Sequence, residues 1–180
     1  MHRIESSQPF ASTVCLGPVR LRYLDAVATS PAPDVLLDPL TDEARPIEDW
    51  LTTFHLVLVA LDPYTHESAW LIDTAGRVLR AFTGADCRVG WLVTANDEET
   101  ERFLGPWAEE MLAFSDPERN VVRSLGLETL PAIVHIDLSL DIVGSAEGWN
   151  PDEWRNVATG LAEAMSWNRP TIPGPDDPTP

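Results

Sequence analysis

His55-Leu-Val-Leu-Val-Ala-Leu61 is an unbroken apolar run of strand length, and a second one, Arg88-Val-Gly-Trp-Leu-Val-Thr-Ala95, follows it. A strand that is apolar on both sides must be covered on both faces, as strands are in the interior of α/β sheets. Between the two runs, Ala69, Leu71, Ile72, Ala75, Val78 and Leu79 recur at helical spacing. The spacing predicts a helix from about Glu67 to Arg80, capped by Thr65 or Asp62. This strand, helix, strand unit restricts the chain to an α/β architecture with helices against a sheet.

The flanking sequence extends the pattern. Asn96 or Asp97 opens a second helix with acids in its first turns, where they suit the helix dipole. Gly105-Pro106 should kink or divide that helix. Leu112-Ala-Phe114 reads as a short strand, and Asp116-Pro-Glu-Arg119 as a helix start with aspartate at the cap and proline at the first position, ending near Leu125-Gly126. Ala132–Ile136 and Ile142–Val143 form a hairpin, and Asn150-Pro-Asp-Glu-Trp154 opens a last helix whose stripe is Trp154, Val157, Ala158, Leu161 and Met165. Upstream, Val35–Asp38 reads as a short strand, Pro46–Leu51 as a helical turn, and Val19–Leu24 alternates as a half-buried strand would. Three parts result: an N-terminal extension over residues 1–31, a domain over 32–168, and a disordered proline-rich tail over 169–180.

Charge narrows the partners. The chain carries 29 acidic residues against 12 basic ones, a formal charge of −17. Such a surface is repelled by phosphate backbones and anionic membranes, so neither nucleic acid nor membrane is an expected partner. Every basic residue is an arginine, which excludes Schiff-base and phosphate-loop lysine chemistry. No stretch approaches the ~20 apolar residues of a membrane span, and the first residues lack the apolar core of a signal peptide, so a cytoplasmic location is expected. Cys15 and Cys87 form no C-x-x-C, and His2, His55, His66 and His135 show no ligand spacing. No cofactor or metal site is expected.

Two segments carry a family resemblance. Asp62-Pro-Tyr-Thr-His-Glu-Ser68 follows the first apolar strand, and Leu127-Glu-Thr-Leu-Pro-Ala-Ile-Val-His-Ile-Asp137 leads into the hairpin. With Ala32–Leu40 as a lead-in, residues 32–165 resemble the thioredoxin-like superfamily, in particular its peroxiredoxin and TlpA-like thiol-disulfide branch. The resemblance implies a thioredoxin-like α/β sandwich: a central mixed sheet, helices on both faces, and a cis peptide at Leu130-Pro131. It also implies that the face holding the 62–68 loop and Pro131 binds extended peptides, with Thr129-Leu130 pairing by strand addition.

The departure lies where the chemistry would be. Redox members place C-x-x-C or T-x-x-C where this chain has Thr65-His66-Glu67-Ser68. Cysteine works there because a helix N-terminus supplies thiolate at neutral pH, and a serine hydroxyl forms no disulfide. His66 and Glu67 are neighbours in sequence and do not face one another on a helix, so a hydrolytic triad with Ser68 is not expected. The reading is a non-redox binding or scaffold module that recognises an unidentified protein or peptide through Tyr64, Thr65, His66, Ser68, Thr129, Leu130 and Pro131. The alternative is a divergent thiol-disulfide oxidoreductase or peroxidase that uses Cys87 or Cys15. Of the seven tryptophans, Trp70 and Trp149 fall where they could form an aromatic patch beside that face.

Overall fold

The structure, a computed structural model, describes residues 30–179. The expected strand at Val19–Leu24, and Cys15, lie outside the described residues. Seven strands form one sheet in the order β2-β1-β5-β4-β3-β6-β7. They are β1 (Leu36–Pro39), β2 (Arg45–Pro46), β3 (His55–Leu61), β4 (Cys87–Val93), β5 (Leu112–Ser115), β6 (Ala132–Ile136) and β7 (Ile142–Glu147). β3, β4 and β5 run parallel, while β1 joins β5, β6 joins β3 and β7 joins β6 in antiparallel pairs. This is the mixed sheet that the resemblance implies.

The alternation of side chains along β3 divides the core. Val57, Val59 and Leu61 face a cluster with Leu71, Ala75, Val78 and Leu79 of α2 (His66–Arg80) and Trp154, Val157, Ala158 and Leu161 of α6 (Pro151–Ala164). Leu56, Leu58 and Ala60 face the opposite cluster. It contains Ile47 and Trp50 of α1 (Ile47–Trp50) and Val121 and Val122 of α5 (Asn120–Ser124). A strand buried on both sides thus takes helices on both sides, as its unbroken apolar run requires. Gly105, at φ 55°, separates α3 (Asp97–Leu104) from α4 (Trp107–Glu110), a backbone angle that glycine adopts without penalty.

Two expectations are corrected. Asp116 does not cap a helix that begins at Pro117. Residues 117–119 make a turn, α5 begins at Asn120, and the buried Asp116 carboxylate reaches forward to accept from the N–H groups of Asn120 (2.7 Å) and Val122 (3.0 Å). One carboxylate serving two orphan donors replaces the shorter cap.

The second correction concerns the tail. Residues 169–179 are not a disordered appendage: Ile172 is buried in the α2/α6 cluster. Proline removes N–H donors but leaves carbonyls, and side chains of the domain take them up. Arg77 donates to Thr171 O (2.7 Å), Arg155 to Ile172 O (2.6 Å), and the Trp149 indole to Pro178 O (2.8 Å).

Candidate functional site

The 62–68 loop leaves the C-terminal end of β3, and Pro131 stands immediately before β6. The antiparallel register that sets Ala60 opposite Ala132 brings the loop and Pro131 to the same end of the sheet. The Leu130-Pro131 peptide is cis. Thr65, Ser68, Leu130 and Pro131 are therefore gathered at one edge by strand pairing, across more than sixty positions of sequence.

Within the loop, Thr65 caps α2, its hydroxyl accepting from the Ser68 N–H at 3.4 Å. The Ser68 hydroxyl is fully buried and accepts from the Asp62 N–H at 2.9 Å. The Asp62 carboxylate in turn accepts from the Tyr64 N–H at 3.0 Å and pairs with the Arg119 guanidinium at 3.7 Å. Ser68 therefore braces the loop and is closed to an incoming substrate. His66 is exposed and lies against Trp70, ring centroids 6.3 Å apart. It makes no hydrogen bond to Ser68 among the described residues, where Ser68 is bonded to Asp62 and Thr65.

Tyr64 is exposed, and its phenol donates to Glu99 Oε2 at 2.8 Å. That bond, with the neighbouring negative charge of Glu99 and Asp62, holds the phenol above its ordinary pKa. The other side of the face is set by Glu147 at the end of β7. Its Oε2 accepts from the N–H groups of Glu128 (2.8 Å) and Thr129 (2.5 Å), fixing the segment that precedes Pro131. The Thr129 N–H is thus already taken, whereas the Leu130 main chain makes no hydrogen bond among the described residues.

Beside the cis-proline lies a groove of about 280 Å³. Leu71, Leu130 and Pro131 line it together with Trp70 and Trp149, and Pro178 and Thr179 of the C-terminal segment also contribute to its wall. Trp70 is 71% exposed, an unusual setting for a side chain of that size. Of the residues expected at the face, Thr129, Leu130 and Pro131 line the groove. Tyr64, Thr65, His66 and Ser68 belong to the adjoining loop and are absent from its lining. Glu67, part of the Thr65–Ser68 motif in the sequence, also lines the groove. Glu147, Pro178 and Thr179 escape sequence reasoning: the first is an acidic residue in acidic surroundings, and the other two belong to a segment whose composition points to disorder.

Cys87 lies elsewhere. It opens β4 and pairs with His55 at the start of β3, so the length of a seven-residue strand, roughly 20 Å at 3.3 Å per residue, separates it from the loop. It is buried, its thiol pointing at Phe82 O (3.8 Å). Burial, aided by the Asp86 charge, pushes the thiol up to about 11. His135 is likewise buried, its Nε2 2.8 Å from Nδ1 of His55. Among the described residues, no group of three or more histidine, cysteine, aspartate or glutamate side chains is placed to hold a metal ion. No helix among them is long and apolar enough to cross a membrane.

No protein-family model matches the chain, and no curated protein matches it at a significant level. Solved structures do match. The dsbF protein of MTB aligns with TM-score 0.59 at 15% identity, covering 72% of this chain and 96% of that one. The thioredoxin domain of a thiol-disulfide oxidoreductase from Bacteroides vulgatus aligns with TM-score 0.59 at 13% identity, covering 77% and 97%. The bacterioferritin comigratory protein of Xanthomonas campestris, studied for alkyl peroxide reduction, aligns with TM-score 0.60 at 13% identity, covering 82% and 100%. These likenesses show that the chain has a thioredoxin-like α/β fold.

Proposed function

We propose that this chain is a thioredoxin-fold binding module without thiol redox chemistry, and that it holds an extended segment of a protein partner along the cis-proline groove. The observation that carries this reading is the division of labour around the loop. The two positions that would carry cysteines hold Thr65, a helix cap, and Ser68, a fully buried brace. The apolar groove beside them is kept, with Leu130 half-buried and its main chain available for strand addition. A serine hydroxyl neither ionises near neutral pH nor forms a disulfide, so these residues fit a structural role and leave recognition as what the face can do. The surrounding Glu67, Glu128 and Glu147 favour partners with basic residues beside the bound segment. A cytoplasmic location belongs to this reading, supported by a chain with only two cysteines, far apart in sequence.

Two experiments test it. Disulfide reduction and peroxide consumption are measured on the chain and on its Cys15→Ser, Cys87→Ser double variant; no activity in either is expected. Activity that disappears in the double variant would instead establish the alternative reading, a thiol oxidoreductase or peroxidase. Peptides are then selected on the chain from a displayed random library, and Leu130→Asp should abolish their binding while the circular dichroism spectrum stays native. Selected peptides that bind Leu130→Asp unchanged rule out this groove.

A further inference from the structure

The wall of the cis-proline groove includes residues of the chain's own C-terminal segment. Pro178 and Thr179 line it, and the Trp149 indole, which lines it too, donates to Pro178 O at 2.8 Å. Just upstream, Asp177 is held by a built receptor. Arg77 of α2 donates to both carboxylate oxygens, at 2.8 and 2.6 Å, Thr74 donates to one at 2.9 Å, and the Gly174 N–H closes onto the other at 2.5 Å. The Asp177 side chain is 3% exposed although it belongs to an acidic, proline-rich terminus. Both Arg77 bonds come from Nη2, while Nη1 donates to Thr171 O, so one guanidinium holds the segment at two points, the first a charge-assisted bond shared between both carboxylate oxygens. An indole N–H donating to the carbonyl of a proline-rich segment beside apolar side chains is how aromatic grooves receive such segments.

We propose that residues 171–179 form a detachable strap: latched by Asp177 on Arg77 and Thr74, it forms part of the wall of the cis-proline groove and competes there with extended partners. The strap's part in controlling partners rests on the proposed function; its ligand-like docking does not. Ile172 anchors the strap at its upstream end by burial among α2 and α6. Asp177 and Pro178 are the releasable part, since their contacts are polar rather than apolar.

The test uses the full chain throughout. The probe is a fluorescent synthetic peptide with the sequence of residues 171–180, titrated by anisotropy against wild type and against Asp177→Ala. In wild type the receptor is filled in cis. In Asp177→Ala it is open, so the peptide should bind at least tenfold more tightly there, and adding Arg77→Ala should remove that gain. Equal binding to both chains, or no binding to Asp177→Ala, overturns the proposal. Hydrogen exchange of the Gly174 amide in wild type gives a second measurement that depends on no variant. Protection is expected, and exchange at the rate of an unstructured peptide overturns the latch. Library selection repeated on Asp177→Ala separates the two readings. Selected peptides that bind wild type and Asp177→Ala equally remove the strap's control and leave the function standing. A latch that passes both tests beside a groove that selects no peptide in either chain removes the function and leaves the docked strap.

Discussion

Nδ1 of His55 lies 2.8 Å from Nε2 of His135, a side-chain hydrogen bond between the paired strands β3 and β6. One ring must donate and the other accept, so the pair is satisfied only while at least one imidazole is neutral. Burial, followed by repulsion from His55, holds His135 down at about 4, with Asp137 opposing the shift. The folded pKa therefore lies below the ordinary value of about 6.5, and the unfolded chain binds the proton first. Stability from this pair is complete above pH ~6.5 and is lost as the pH falls toward 4, by about 3 kcal/mol at most. Urea midpoints at pH 7.5 and 4.5 should show a larger loss for wild type than for His135→Gln. Equal losses would assign the pH dependence to other groups.

Cys87 should behave as an inert thiol. A pKa of about 11 leaves little thiolate at pH 8, and burial blocks access as well. In a Cys15→Ser background, reaction with an aromatic disulfide reagent should be about 100-fold or more slower than for a free thiol, whose pKa is about 8.5. It should become fast in denaturant. Fast labelling of the folded chain would contradict the burial of this side chain.

Ser68 should prove structural. Ser68→Ala removes the acceptor of the Asp62 N–H and should lower stability by about 1–3 kcal/mol, the cost of an unsatisfied buried donor. Ser68→Cys restores the cysteine of a T-x-x-C pattern at the start of α2, where the helix end favours a thiolate. A thiol at this fully buried position is closed to reagent, so labelling as slow as that of Cys87 is expected, and a rate well above it would show that the loop opens and the scaffold still supports thiol chemistry.

Glu147 should hold the peptide-facing segment in place. Glu147→Ala leaves the N–H groups of Glu128 and Thr129 without their acceptor. These amides are exposed, so the loss of stability should be about 1 kcal/mol. Their hydrogen exchange should accelerate markedly while amides of β3 stay protected. Unchanged exchange at Thr129 would mean that the loop is fixed by other contacts.

Local pattern by itself determined a good deal. The run His55–Leu61, the stripe from Ala69 to Leu79 and the cap at Thr65 make β3 and α2 legible, because strand burial and helix amphipathicity have periods of a few residues. The Leu130-Pro131 turn and the absence of cysteine at positions 65 and 68 are likewise visible in the letters. Tertiary structure decided the rest, because it depends on contacts between residues far apart in the chain. Asp116 could be read as a cap but not as the acceptor for two amides further on. Glu147 reaches the loop before Pro131 only because β7 pairs with β6. The terminal segment reads as disordered since proline and aspartate do not build a core. Yet it is ordered by carbonyls and a carboxylate meeting Arg77, Arg155 and Trp149, donors that the domain supplies.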